Sequence, residues 1–465
     1  MNAGEPFVRD TGVVDRDNPW PGLASFRERD QAFFHGREGA IQVLLELVMR
    51  ERVSVLYGAS GLGKTSLIQA GLFPRARARD LFPVRLRLDF ARPSALIEQI
   101  YGALAREAQE HHVEAPERTG GTLWEFFYRK TSLWWNERHR LLTPLLVFDQ
   151  FEEMFTIGRR TPEGTAAARA FLEELRGLAL GFPPVDVRAR VDANPEEALQ
   201  YSLTRGPVRM LFSFREDYLA EFTELRELFP SIGEHDFRLL PMSTADGLRV
   251  ILEPGRHLVS EPVARRIVEI IAADRPTRRR AANDLPVDPT LLSVFCRELN
   301  NERRRLHEEQ ISGELLKDAQ IRILDNFYLR SIAGLDPRVQ IFIEDELVLP
   351  DSSERNSAAE EVALRKPGIT RDTLDELIDR RLLRRDERDG PARIELAHDV
   401  LIDPVRRSGE LRRAREAEQH ASREAAEKFE ELQRARRQRF LLMLSIAGAF
   451  ALIFGVIAAV SAFIA

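Results

Sequence analysis

Cysteine is nearly absent from this chain. Cys296 is the only one among 465 residues, so an internal disulfide is excluded and a reducing compartment is expected for the globular part. Lysine is almost as scarce, standing only at positions 64, 130, 317, 366 and 428 while arginine is abundant, a bias associated with GC-rich bacterial genomes. There is no positive excess either: the formal net charge is −6, which argues against a dedicated nucleic-acid binder. No internal repeat is visible, and no charged-then-apolar leader opens the chain. The length corresponds to about three domains at ~150 residues each.

Charge is missing altogether from Phe440 to Ala465. At ~1.5 Å per residue that helix would span about 39 Å, more than the ~30 Å of bilayer hydrocarbon. Arg434, Arg436, Arg437 and Arg439 stand just before it, an arrangement that predicts a single-pass span with everything N-terminal of it in the cytoplasm. Ala447, Ala451, Gly455 and Ala459 form a small-residue stripe that would let such helices approach closely.

Against these absences stands one complete phosphate-binding octapeptide, Gly58-Ala59-Ser60-Gly61-Leu62-Gly63-Lys64-Thr65. Val53 to Tyr57 before it reads as a buried strand, and Ser66 to Ala70 after it as the start of a helix. Glycines let backbone N–H groups turn inward around a β-phosphate, and the helix dipole adds partial positive charge. Lys64 can reach the β- and γ-phosphates, and the Thr65 hydroxyl can hold Mg²⁺. The second element is Leu145-Leu146-Val147-Phe148-Asp149, an apolar run with a carboxylate at its C-terminal end. That is where open α/β sheets bind ligands and where Asp149 would hold the metal. Glu152 and Glu153 follow as alternatives for orienting or deprotonating an attacking water.

Along the chain, residues 1–19 are polar and aperiodic and are expected to be disordered. Strand-like segments at Val53–Tyr57, Phe82–Asp89, Leu145–Asp149 and Val208–Arg215 alternate with helical ones at Leu96–Ala108, Leu123–Trp135 and Ala166–Leu178. This predicts an α/β domain over 20–260, a mostly parallel sheet with helices on both faces. A helical domain follows over 261–335, through Val263–Ala272, Pro289–Leu299 and Glu314–Tyr328. At 336–405 a helix from Thr370 leads into Leu382–Asp386, a turn at Asp389-Gly390 and Arg393–Leu396, the shape of a winged helix. A charged helical stalk over 406–439, single or coiled, connects to the span at 440–465.

In this order the pieces resemble the STAND class of signalling P-loop NTPases, close to its bacterial novel STAND subgroup, over roughly residues 20–405. The resemblance is carried by Pro-Gly-Leu at 21–23, Phe-Phe-His-Gly-Arg-Glu at 33–38, the phosphate loop and Asp-Gln-Phe-Glu-Glu at 149–153. It implies that Arg37 lies beside the nucleotide, although Ala40 stands where the pattern has a second glutamate. It further implies that Arg215 senses the γ-phosphate, that Pro241 packs near the adenine, and that His398 touches the β-phosphate of ADP. The nucleotide-binding set is then Arg37, Gly58 to Ser66, Pro241 and His398, with ATP or ADP and Mg²⁺ as cofactors. The catalytic set is Lys64, Asp149, Glu152, Glu153 and Arg215, and the metal ligands are Thr65 and Asp149.

The expected function is a slow ATPase switch at the bacterial cytoplasmic membrane, ADP-bound at rest and ATP-bound when active. By family analogy it would oligomerise in stress or phage-defence signalling, with an unidentified sensor or effector partner and with the span as tether or pore. Two rivals remain: an ATPase that energises a membrane partner, and a membrane-tethered winged-helix transcriptional regulator. The acidic balance speaks against the second of these.

Overall fold

The structure is a computed structural model. It describes residues 13–89, 96–118, 121–156, 162–202, 207–227, 229, 235–272, 286–348, 356–386, 392–397 and 401–464. His398 lies outside these residues, as do the hairpin turn at 389–390 and the first twelve positions.

The N-terminal half is built on a sheet whose strands are β1 (Val53–Gly58), β2 (Leu81–Leu86), β3 (Trp134–Trp135), β4 (Leu141–Asp149), β5 (Arg209–Arg215) and β6 (Asp236–Arg238). Their order is β2-β4-β5-β1-β6, parallel throughout, with β3 antiparallel on β4. The strand that carries the carboxylate is thus separated from the phosphate-loop strand by β5, in register Val55↔Phe212 and Phe148↔Phe212.

Alternation along each strand sorts its side chains onto two covered faces. Val53, Val55, Leu146, Phe148, Met210, Phe212 and Phe214 enter one core with Phe151, Phe171 and Phe222. Leu56, Leu145, Val147 and Leu211 enter the other, against Ile41, Leu44 and Val48 of the Glu38–Arg50 helix and Leu67 and Ile68 after the phosphate loop. The first core is aromatic, with Phe148 and Phe212 stacked at 5.0 Å and Phe214 and Phe222 at 4.2 Å. Burying each such ring contributes about 2–3 kcal/mol, so the strand ends that carry charges stand on a rigid base.

The remainder forms a second core. It joins helices Thr244–Gly255, Glu261–Ala272, Pro289–Arg305, Gly313–Ile332, Pro337–Glu346 and Arg371–Asp379 to a small antiparallel sheet. That sheet runs β7-β9-β8, with β7 at Ser357–Ala359, β8 at Leu383–Asp386 and β9 at Arg393–Leu396. The N-terminal segment belongs to this core rather than to the parallel sheet. Trp20 is 1% exposed among its helices, and the Trp20 and Val13 carbonyls accept from Arg297.

Two local expectations are corrected. The helix expected over Leu123–Trp135 stops at Tyr128, because Trp134 and Trp135 pair with Leu142 and Leu141 as β3. Phe82 and Trp134 pack at 5.2 Å, which rewards the strand over helical continuation. Strand β7 was not expected, since Ser357-Ala358-Ala359 has no β-branched or aromatic residue and forms only by pairing with β9.

The final helix is continuous over Ile402–Ile464. Leu441, Met443, Leu444, Ile446, Phe450, Leu452, Ile453 and Val456 are exposed on it. Side chains at positions 440, 442, 454 and 457–465 lie outside the description. Among the described residues no helix is long and apolar enough to cross a membrane, so the span expected at 440–465 is not found there.

Candidate functional site

The phosphate loop runs from the end of β1 into the Lys64–Ser66 helix, which widens into a π-type turn over Leu67–Leu72. Gly61 and Gly63 have φ of +70° and +84°, a region that glycine alone enters at little cost. Such positions allow a loop's amides to turn inward around a phosphate. Gly58 is required for a different reason: a Cβ there would lie 2.7 Å from the Leu239 carbonyl oxygen. The Lys64 ammonium donates to the Gly58 and Ala59 carbonyls at 2.8 and 3.1 Å. Burial pushes its pKa down to about 8, against the pull of Glu152.

At the adjoining strand ends, Asp149 is 3% exposed. It accepts from the Thr65 hydroxyl at 3.0 Å and from the Arg85 guanidinium at 2.9 Å. Thr65 and Asp149 are therefore brought together as the sequence pattern requires. A hydroxyl and a carboxylate make a hard oxygen donor set that fits Mg²⁺. Arg85, on β2, was not anticipated; its sequence signal is a lone charge between Val84 and Leu86 in an otherwise apolar strand.

Gln150 takes φ +61°, and the Phe151 amide bonds the Ser213 carbonyl at 2.9 Å, a turn that places Glu152 and Glu153 differently. Glu152 lies in the field of Lys64, and burial pushes its pKa up to about 7, with Lys64 pulling it back. Glu153 instead pairs with Arg87 at 3.2 Å. Glu152 thus combines proximity to the phosphate lysine with a near-neutral pKa.

Arg215 ends β5 at 6% exposure. It donates to Asp217 at 2.7 Å and to Asp379, of the second core, at 3.2 Å. Burial works against its charge, but Asp217 and Asp379 outweigh that and its pKa is raised. Its buried Nε has no hydrogen-bond partner, a donor left over at the strand end where charge recognition is expected.

Other residues of the nucleotide-binding set are engaged with protein. Arg37 donates to the Leu240 carbonyl at 2.8 Å and the Leu62 carbonyl at 3.0 Å, tying the phosphate loop to the segment before Pro241. Burial lowers its pKa to about 10, so it stays charged at neutral pH. The Ser66 hydroxyl accepts from the Phe26 amide at 3.1 Å. Pro241 is exposed beside Leu240. Ser60 is held by the second core: its hydroxyl donates to Asp379 at 3.3 Å and accepts from Arg381 at 3.0 Å. Thr290, at the start of the Pro289–Arg305 helix, donates to the Gly61 carbonyl at 2.9 Å. Thr290, Asp379 and Arg381 carry no motif that marks them in the sequence.

No curated protein matches the sequence. Among solved structures, Cdc6p of Pyrobaculum aerophilum is 15% identical, with a TM-score of 0.38 over 81% of this chain and 94% of that one. A Walker-type ATPase of Pyrococcus abyssi is 13% identical, with a TM-score of 0.42 over 82% and 98%. The ORC1 protein of Aeropyrum pernix, solved in complex with DNA, gives 13%, 0.42, 82% and 94%. The family model "Novel STAND NTPase 1" matches residues 19–439. That match covers the phosphate loop, the acidic strand end and the whole second core, so the chain belongs to the novel STAND NTPase 1 family and is a P-loop ATPase.

Proposed function

We propose that this ATPase is a nucleotide-operated switch, closed with ADP and open with ATP. One observation carries the reading: the second core reaches the phosphate loop, and Ser60 bonds residues more than three hundred positions downstream. A group bound in that loop cannot ignore the second core, and a ligand moves such an equilibrium only through its differential affinity for the two forms. Reversing a 1:99 population takes ~5.5 kcal/mol, within reach of charge-assisted contacts to a γ-phosphate.

In this reading Lys64 grips the β- and γ-phosphates and Arg215 meets the γ-phosphate. Glu152 takes the proton from the attacking water and lies near enough to Lys64 to be partly ionised at neutral pH. Mg²⁺, held by Thr65 and Asp149, would neutralise charge between the phosphates. Asp217 and the aromatic core fix Arg215, so little reorganisation is needed when the triphosphate arrives.

The part of the second core that closes the loop has the order helix Pro337–Glu346, β7, a short helix Glu360–Ala363, helix Arg371–Asp379, β8, β9. This order supports the reading as a winged helix. For residues 440–465 we propose a tether to the bacterial cytoplasmic membrane, supported by an uncharged run preceded by four arginines. Opening would free the core to assemble with further copies in stress or phage-defence signalling.

The test is to purify the full chain in detergent, identify the nucleotide that co-purifies, and measure particle mass with ADP and with ATP. ADP at rest and a larger mass with ATP are expected. Failure to bind either nucleotide with Mg²⁺, or one conformation with both, refutes the switch. Truncation after residue 439 should move the protein out of the membrane fraction; retention there refutes the tether.

A further inference from the structure

The turn between the Arg371–Asp379 helix and β8 is built against the usual preference. The helix ends at Arg380, and the next residue, Arg381, has φ +66°. Helices that close in this left-handed conformation usually put glycine there, because a Cβ is strained. Here the position carries a long cation. Strain of this kind persists where the surroundings over-determine it, and it concentrates at functional sites.

What it gains is reach. A Cβ built on Gly61 would lie 1.8 Å from Arg381 Cζ, so the guanidinium is packed against the phosphate-loop backbone, at a glycine with φ +70°. One of its five N–H donors bonds Ser60 Oγ. Water has been stripped from its charged end, which lowers its pKa, with Asp288 the strongest opposing charge. Two residues earlier, Asp379 meets the same loop with the opposite sign. Its Oδ1 accepts from Ser60 and from Arg215 Nη1 at 3.2 Å. The second core thus places one cation over the glycines that cradle a β-phosphate and one anion on the arginine that would meet a γ-phosphate.

Resting on the nucleotide-switch reading above, we infer that Asp379 and Arg381 form a two-residue discriminator, by which the closed form accepts a nucleoside diphosphate and is opened by a triphosphate. Arg381 adds a fork of donors toward a diphosphate lodged in the loop. A third phosphoryl group at Arg215 competes with Asp379 for the same guanidinium and faces its carboxylate as a like charge. The diphosphate therefore strengthens the contact between the two cores, and the triphosphate breaks it at Asp379. The two side chains act in opposite directions on the two ligands, which distinguishes a discriminator from a general clamp.

The experiment titrates fluorescent ADP and ATP, each with Mg²⁺, against the detergent-solubilised full chain. The variants are Asp379→Asn, Arg381→Ala and Arg381→Lys, with Lys64→Ala as reference. Hydrogen exchange over residues 58–65 is followed in parallel. Asp379→Asn should tighten ATP about tenfold and leave ADP within about twofold. Arg381→Ala should weaken ADP about tenfold and ATP much less, and should raise exchange in the loop with ADP bound; Arg381→Lys should recover part of both effects. If the Asp379 and Arg381 variants change both nucleotides equally, or neither, while Lys64→Ala abolishes binding, the discriminator is wrong and the nucleotide site stands. If Lys64→Ala binds like the unaltered chain, the site itself is wrong and the discriminator falls with it.

Discussion

The two cores handle charge in opposite ways. In the parallel sheet, charged groups sit at the ends of strands whose bodies are buried on both faces. Asp149 and Arg215 are held there by an aromatic layer and by pairs with Arg85 and Asp217. The second core buries charges in staples, such as Glu344 bonded to Tyr328 and Arg412, and meets the phosphate loop with the charges of one turn, at Asp379 and Arg381. The first arrangement fixes groups where bonds are to break; the second offers contacts that can be made or released as a body. Chemistry and control are thus separable, and substitutions should separate them.

The largest separation is expected at Asp149. Asp149→Asn keeps the shape and removes the charge that Thr65 and Arg85 share, so hydrolysis should fall about 10³-fold, roughly 4 kcal/mol. The contact between the cores should persist, because Asp379 and Arg381 do not touch Asp149. Steady-state phosphate release together with hydrogen exchange at 58–65 checks both halves. A variant that hydrolyses normally would break the assignment of chemistry to this strand end.

Next is Trp20, which belongs by sequence to the edge of the first domain and by packing to the second core. Its ring is 1% exposed, its indole N–H donates to the Val250 carbonyl at 3.2 Å, and a Cβ on Gly255 would meet it at 2.6 Å. Trp20→Ala should cost about 3–5 kcal/mol of stability. In a denaturation curve the loss should appear in the transition of the second core, with nucleotide affinity of the folded fraction unchanged.

Much of this was legible in the sequence, but unevenly. The phosphate loop, the acidic strand end and Arg215 announce themselves because each is local: a few consecutive residues define a turn or a strand and its terminal charge. Strands β1, β4 and β5 appear within a few residues of where apolar runs place them. What stayed hidden is non-local. Arg85 acts only because β2 pairs with β4, β3 and β7 exist only through their partners, and Asp379 and Arg381 become site residues only when two cores meet. Arg381 also breaks the rule that would flag it, since a left-handed helix end is looked for as glycine. Trp20 stands at the start of the first domain by sequence, and the core it packs into was not visible there.

A third effect concerns the two glutamates. Glu152→Gln should lower turnover about a hundredfold, roughly 2.7 kcal/mol, and Glu153→Gln far less. The pH profile sharpens this. Glu152 must be ionised to take a proton, so kcat/KM should fall tenfold per unit as pH drops below about 7. Lys64 must be protonated to hold phosphate, so the profile should also fall above about 8. The two groups interact, so these limbs belong to the pair. Glu152→Gln should remove the acidic limb, and an unchanged limb would assign the base elsewhere.

The smallest effect tests a residue that sits between the two roles. Arg37 was expected beside the nucleotide, and its guanidinium is spent on the Leu62 and Leu240 carbonyls. Arg37→Ala removes the donor from the Leu62 and Leu240 carbonyls, the first of them in a buried bond, which costs about 2 kcal/mol. If its work is to tie the loop to the Leu240 segment, ADP and ATP should weaken together, about threefold to tenfold, with a matching drop in Tm. Arg37→Lys should recover little, because two separate guanidinium nitrogens, Nη1 and Nη2, each reach a different carbonyl, and one ammonium nitrogen does not reproduce that planar fork. A ligand role would instead weaken binding with no loss of Tm. Comparing the two readouts on one variant places Arg37 with the fixed chemistry of the sheet or with the nucleotide itself.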